Sequence, residues 1–271
     1  MSLVFETLVV REEGAVLFAE ISAPPMNLLG PELVRDLVSL IQHAEADDAV
    51  QVLVFKSADP DYFISHVDVT RVKEYRAEAA KLAGEASLAL LFRRLSTSRL
   101  VTIAQIEGRA RGAGSEFVLA CDMRFAAREL AIFAQIEPAF GLLPGGGAVQ
   151  HLTRLLGRAR ALEVLLSAED YDAELAERYG WINRALPAAA LAEFVRSLAH
   201  RRLPGGRSRD SQGSRQRDRP GVGRGVPLRF RSLRRCRTRP ASPKTDSGRD
   251  ESRLPNPGRG NGSGTDAGKF G

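Results

Sequence analysis

Cysteine is nearly absent from this 271-residue sequence, which contains only Cys121 and Cys236. Two isolated cysteines form neither a disulfide framework nor the paired spacing of a zinc site, so we expect a reducing compartment and no metal. Long hydrophobic runs are also missing: no apolar stretch approaches the roughly 18 residues of a membrane-spanning helix. Glu6, Arg11 and Glu12 are charges that a secretory signal peptide excludes. The sequence therefore predicts a cytoplasmic protein without a membrane span.

Positive charge is scarce in most of the chain and concentrated at its C-terminal end. Residues 201–271 contain 17 arginines and 2 lysines against 6 acidic residues, whereas the preceding 200 residues carry a net negative charge. Arginine, glycine, proline and serine supply 45 of these 71 residues, which leaves too few apolar side chains to form a core. We predict a folded domain over residues 1–200 and a disordered basic tail over residues 201–271.

Three interpretations of the tail differ in what they imply. Arginine-rich runs can bind RNA through its phosphates, but only Phe230 and Phe270 could stack on bases, so nucleic-acid binding is disfavoured. A plain disordered extension is the second interpretation. The favoured one is a frameshifted C-terminus, because a G+C-rich gene read out of frame yields this composition. The apolar face of the helix predicted at residues 188–201 also lacks later helices to pack against.

Apolar periodicity predicts an α/β layered protein with repeating ββα-like units. Strands that are buried on both faces are expected where apolar residues run continuously. The predicted strands are residues 3–10, 15–21, 50–55, 101–106 and 123–126. Helical regions are predicted from Pro31, over residues 70–97, from Gly112, and over residues 146–156, 158–167, 172–179 and 188–201.

Two glutamates stand in contexts that favour chemistry. Glu116 lies on the first turns of the helix that Gly112 opens, and Glu137 precedes a segment with three consecutive glycines, residues 145–147. Two carboxylates in one pocket can perform acid–base work on water, and a glycine-rich helix start supplies N–H groups for an oxyanion. The alternatives are a solvent-facing helix residue for Glu116 and an ordinary turn acid for Glu137. The three glycines lack the lysine of a phosphate loop and predict only a turn into a helix.

Three segments carry a resemblance to a known family. Residues 62–68 are similar to a Phe-x-x-Gly-x-Asp loop, residues 106–116 with Cys121 and Asp122 to a glycine-rich helix start, and residues 135–157 to a third block. In this order and spacing, they resemble the crotonase superfamily, also called the enoyl-CoA hydratase/isomerase family. The resemblance extends over about residues 3–200, and it implies a crotonase-like ββα spiral core with C-terminal helices.

The resemblance also implies an activity, namely a lyase that binds an acyl-CoA thioester and stabilises its enolate. The backbone N–H groups of Ser65 and Ala113 would form the oxyanion hole, and Glu116 and Glu137 would hold one water. Family isomerases commonly keep only the second carboxylate, so hydration of a 2-enoyl-CoA is preferred over isomerisation or another family reaction. The alternative of another class is a non-catalytic RNA-binding or inactive protein. No cofactor is implied beyond coenzyme A, which is part of the substrate.

One departure from the family pattern concerns substrate binding, for which His66, Asp68 and Gly112 are the candidates. His66 stands where the family has glycine. Histidine tolerates a positive φ better than most residues, but its imidazole is expected to intrude near the thioester. Asp68 is predicted to cap a helix starting near Thr70 rather than to touch substrate. The family's homotrimer or hexamer is implied as well, although the basic tail does not supply the helices that complete it.

Overall fold

Two β-sheets organise the part of the chain that the computed structural model describes, residues 4–201. The predicted disorder and the frameshift interpretation of the C-terminal tail lie outside these residues, apart from Arg201. Ten strands and eight α-helices are present in residues 4–201, together with one short 3-10 helix at Glu137–Phe140.

The larger sheet has six strands, of which β1 and β2 form an antiparallel hairpin and the others run parallel. In spatial order they are β1 (Leu8–Glu13), β2 (Val16–Ile21), β3 (Val52–Ser57), β5 (Val101–Ile106), β7 (Met123–Ala127) and β10 (Arg184–Leu186). Alternate side chains of β3 enter different cores, with Val52 and Val54 on one face and Leu53 and Phe55 on the other. This arrangement explains its continuous apolar sequence, since both faces are covered.

The smaller sheet has four strands, three of them parallel. They are β4 (Tyr62–Ile64), β6 (Arg109–Arg111), β8 (Ile132–Ala134) and the antiparallel β9 (Tyr171–Asp172). Each parallel strand of this sheet directly follows a strand of the larger sheet, so the chain alternates between the two layers. The predicted ββα repetition is thereby confirmed.

Helices complete both layers. They are α1 (Pro31–Ala46), α2 (Val72–Ala83), α3 (Leu88–Ser96), α4 (Ala113–Ala120), α5 (Ala148–Leu156), α6 (Arg158–Ser167), α7 (Ala173–Tyr179) and α8 (Ala188–Ala199). The apolar face predicted for α8 is used within the domain, because Leu191 and Val195 pack with Val54 and Phe125 on the larger sheet. Among the described residues no helix is long and apolar enough to cross a bilayer.

The structure corrects three local predictions. The helical region predicted over residues 70–97 is two helices, because Gly84 adopts a left-handed conformation with φ 81° and Ser87 caps α3 through Leu90 N–H. The first strand starts at Leu8 rather than residue 3. Asp68 does not cap α2: its Oδ1 accepts hydrogen bonds from the N–H and hydroxyl of Thr70, which form a local turn before the helix.

Candidate active site

Three loops meet at one edge of the smaller sheet. Parallel strands end on the same side, so β4, β6 and β8 deliver their following segments to neighbouring positions. Those segments contain Ser65 and His66 after β4, Gly112 and Ala113 after β6, and Glu137 after β8. The order of the three sequence segments therefore has a structural reason: consecutive layers of the spiral supply one site.

A cavity of about 640 Å³ lies at this edge. Its wall is mostly apolar, with a few acidic and basic groups, which is the usual character of a site for a small organic ligand. The lining residues are His66, Val67, Val69, Val72, Tyr75, Arg76, Ser87, Leu88, Ala89, Gly112, Ala113, Glu116, Ile136, Glu137, Phe140, Leu142, Gly145 and Gly146. Both predicted catalytic carboxylates belong to this set.

Two glycines let the start of α4 approach its neighbours. Gly112 has φ 51°, and a β-carbon there would meet Glu137 Oε1 and Ile136 Cγ1 at 3.3 Å. A β-carbon on Gly114 would lie far inside van der Waals contact with the carbonyl of Ile64 at the end of β4. The glycines thus bring the helix N-terminus against both the loop after β4 and the second carboxylate.

Glu116 is buried in the wall of the cavity and fixed by backbone donors. Only 3% of the residue is exposed, and its Oε1 accepts hydrogen bonds from Gly146 N–H at 2.6 Å and Ala148 N–H at 3.1 Å. Burial raises the pKa of Glu116 to about 7, the Ala148 N–H opposes this shift, and the charge of Glu137 adds to it. The carboxyl group is therefore poised to exchange a proton near neutral pH.

Glu137 begins the 3-10 helix and lies half-buried against the same cavity. Its Oε2 is enclosed and has no hydrogen-bond partner among residues 4–201. Burial raises the pKa of Glu137 as well. A buried carboxyl oxygen without a partner is costly unless it is protonated or binds a ligand or a water, so burial favours the neutral form of this group.

The two predicted oxyanion-hole residues differ in how available their N–H groups are. Ala113 is the first residue of α4, so its N–H has no intrahelical acceptor, and it forms no hydrogen bond with other described residues. It lines the cavity beside the positive end of the helix dipole. Ser65 is buried and is not among the lining residues, and its N–H donates to the carbonyl of Met26 over 3.3 Å, a long hydrogen bond.

Of the three predicted substrate-binding residues, the structure places two at the cavity and one away from it. Gly112 and His66 line the cavity, whereas Asp68 does not and is bonded to Thr70. His66 is not among the residues with positive φ, so the loop accepts a side chain there without backbone strain. Its Nδ1 lies 2.5 Å from the carbonyl oxygen of Val67, and its own carbonyl accepts from Leu29 N–H. The imidazole thus forms part of the wall where glycine would leave space.

Several lining residues were missed by the sequence reasoning. The glycines at 145–147 were interpreted only as a turn, yet Gly146 approaches so closely that a β-carbon would collide with Glu116 Oε2. The signal available in the sequence was the run of three glycines at the start of a predicted helix. Tyr75 and Arg76 fall within the helical region predicted over residues 70–97, and nothing in a single sequence indicates which helix face meets a cavity. No group of three or more potential metal ligands is present in residues 4–201.

Comparison with known proteins assigns this architecture to a class. A sequence profile described as "Enoyl-CoA hydratase/isomerase" matches residues 11–208. The chain therefore belongs to the enoyl-CoA hydratase/isomerase family, and its fold is the crotonase fold, as expected from the sequence.

Individual relatives agree with this assignment. The short-chain-enoyl-CoA hydratase of Clostridium acetobutylicum is 28% identical over 195 residues, which are 72% of this chain and 74% of that protein. The crotonyl-CoA hydratase of Syntrophomonas wolfei is 28% identical over 203 residues, covering 74% of this chain and 77% of that one. A Streptomyces avermitilis crystal structure, provisionally assigned as an enoyl-CoA hydratase, is 55% identical with a TM-score of 0.75, covering 80% and 78% of the two chains.

Proposed function

We propose that this protein hydrates a 2-enoyl-CoA to a 3-hydroxyacyl-CoA. The observation that carries the proposal is the pair Glu116 and Glu137, which line one cavity with pKa values that burial raises. The free N–H of Ala113 lies in the same wall. This set can activate a water and stabilise a thioester enolate, which are the two requirements of hydration.

The surroundings of the two carboxyl groups suggest a different role for each. Glu116 Oε1 accepts two backbone N–H bonds, which favour its anionic form and leave Oε2 to accept a proton from water. Glu137 has a buried oxygen without a protein donor, which favours its protonated form as the acid. The pair thereby resembles other sites in which environment separates two carboxyl groups into a base and an acid.

Hydration by this pair combines attack of water on C3 with protonation at C2. The water oxygen forms a bond to C3 while its proton passes to Glu116, and the C2–C3 π electrons move onto the thioester as an enolate. The enolate takes a proton from Glu137 at C2, which gives the 3-hydroxyacyl thioester. A following water returns the proton from Glu116 to Glu137. The proposed step requires only water, the two carboxyl groups and the substrate thioester. Coenzyme A is part of that substrate and is not a separate cofactor.

The enolate oxygen would be held by backbone donors. Ala113 N–H is available at once, and Ser65 N–H becomes the second donor if its 3.3 Å bond to Met26 is exchanged for the thioester oxygen. Donors of this type contribute roughly 3 kcal/mol each to transition-state stabilisation. Double-bond isomerisation would use the same enolate but only one carboxyl group, so a buried and oriented Glu116 favours hydration.

The test is a hydration assay with crotonyl-CoA, followed by the loss of absorbance of the conjugated thioester. We expect turnover by the unaltered chain and a fall in kcat of about a hundredfold or more in Glu116→Gln and in Glu137→Gln. Coenzyme A thioester binding should change little, because neither variant alters cavity volume. Glu193→Gln, at an exposed position of α8, is the matched control and should keep full activity.

Two results would contradict the proposal. Wild-type turnover by Glu137→Gln would exclude the two-carboxylate mechanism. Conversion of a 3-enoyl-CoA by the unaltered chain, with no hydration of 2-enoyl-CoA substrates of several lengths, would assign the protein to isomerisation instead.

A further inference from the structure

Two polar residues line the cavity without a role in the proposed chemistry. Tyr75 and Arg76 are consecutive on α2, and the loop that joins α2 to α3 contributes Ser87 to the same wall. The other lining residues from α2 and α3 are Val72, Leu88 and Ala89. This helical wall is therefore apolar except for one phenol, one guanidinium and one hydroxyl.

The hydroxyl of Tyr75 has no hydrogen-bond partner in the part of the chain that the structure describes. Only 6% of Tyr75 is exposed, yet its hydroxyl forms no hydrogen bond with any residue among 4–201. Burial raises the pKa of Tyr75, so the phenol stays neutral and remains a donor. Tyr75 lines the cavity, so its hydroxyl is available as a donor to a ligand bound there.

Arg76 supplies an unneutralised positive charge at the same wall. Its Nε donates to the carbonyl of Ala86 at 2.6 Å, which ties the side chain to the loop between α2 and α3. No carboxylate within residues 4–201 forms an ion pair with it, in contrast to Arg71 on the same helix, which binds Glu32 and Glu74. The remaining guanidinium donors are thus free to bind an anion.

We propose that Tyr75 and Arg76 recognise a carboxylate at the far end of the substrate's acyl group, so that the preferred substrates are thioesters of dicarboxylic acids. This inference rests on the proposed function and specifies its substrate class. A carboxylate accepts from a phenol and a guanidinium together, and the apolar Val72 and Leu88 pack against the methylene groups between it and the thioester. An unsubstituted alkyl chain would leave both donors unpaired, which disfavours it.

The test compares the binding of two unreactive thioesters of equal chain length, glutaryl-CoA and pentanoyl-CoA, by titration calorimetry. We expect glutaryl-CoA to bind roughly tenfold more tightly or better, as for a hydrogen-bonded charge pair. Tyr75→Phe should reduce this preference, and Arg76→Gln should abolish it while pentanoyl-CoA binding stays within about twofold. Arg93→Gln on α3, which does not line the cavity, is the matched control and should keep the preference.

Shorter ligands show whether Arg76 binds the acyl carboxylate or a phosphate of coenzyme A. The N-acetylcysteamine thioesters of the same two acids lack all phosphates, and the preference for the glutaryl ligand should persist with them. If Arg76→Gln weakens both coenzyme A ligands equally, Arg76 binds a phosphate and the inference is wrong. Equal binding of both acyl groups by the unaltered chain also overturns it and leaves the hydratase proposal intact. Failure to bind any acyl-CoA would overturn both.

Discussion

At the scale of single residues, the proposed site depends on two carboxyl groups whose pKa values burial raises. Glu116 is the clearest case, since its pKa is raised from 4.5 to about 7. A carboxyl group this deeply enclosed costs stability whenever it is ionised in the folded protein, because the unfolded chain solvates its charge. The burial that brings the pKa of Glu116 near neutral pH therefore also lowers the stability of the fold when Glu116 is ionised.

The pH dependence of stability follows from that shift. Below pH 4.5, Glu116 is protonated in both states, and between 4.5 and about 7 only the folded state keeps the proton. Its contribution to the free energy of unfolding therefore falls as pH rises through this window, by about 3 kcal/mol in total. Glu116→Gln removes the dependence, so the variant should be more stable than the unaltered chain above neutral pH.

Urea unfolding of both proteins at about pH 5 and about pH 8 measures this difference. The stability difference between variant and unaltered chain should be small at the lower pH and large at the higher one. Glu193→Gln should show no such change. An equal difference at both pH values would mean that Glu116 titrates normally in the fold.

At the scale of elements, the position of α4 against β4 determines where the Ala113 N–H lies. Gly114 touches the carbonyl of Ile64 so closely that no β-carbon fits, and this carbonyl belongs to a sheet strand that cannot move independently. We expect Gly114→Ala to destabilise the fold by about 3 kcal/mol through overpacking. It should also lower hydratase activity in whatever fraction remains folded.

Gly145→Ala is the matched control, since a β-carbon there meets nothing within 4 Å and its φ is not positive. Denaturant midpoints of the two variants give the comparison. If Gly114→Ala were as stable as Gly145→Ala, α4 could shift away from β4, and the described contact would not hold the helix in place.

The elements also show where sequence reasoning succeeds and where it stops. Long strands such as β3 and β5 were predicted because a continuous apolar run reports burial on two faces. The strands β4, β6, β8, β9 and β10 were missed because two or three residues are too few to show a period. The break between α2 and α3 depended on Gly84, one residue whose left-handed conformation a periodicity argument overlooks.

At the scale of the whole molecule, the site exists because distant segments converge. Residues 65, 113 and 137 come together only when three layers of the spiral stack in order, which no local pattern specifies. The sequence and the family resemblance nevertheless named Glu116, Glu137, Gly112 and Ala113 as candidates, and all four line the cavity; their roles stay predictions. The donors to Glu116 and the Tyr75–Arg76 wall required the tertiary structure, since their significance lies only in what they face.

Assembly and location remain predictions at this scale. The exposed apolar side chains of Phe140, Leu142 and Leu143 follow Glu137 directly, and such a group at the cavity rim is a candidate for contact with another subunit or with substrate. The expected homotrimer or hexamer and the cytoplasmic location rest on the resemblance and on composition.

In the proposed mechanism, α4 and the 3-10 helix bring two carboxyl groups to one water, so that the two groups act as a unit. A double-mutant cycle in crotonyl-CoA hydration tests it most directly, with Glu116→Gln, Glu137→Gln and the double variant compared by kcat. We predict that the double variant is about as slow as either single variant, because losing one member already removes the shared water. If the two losses instead multiply, the carboxyl groups act independently and the account of the site is wrong.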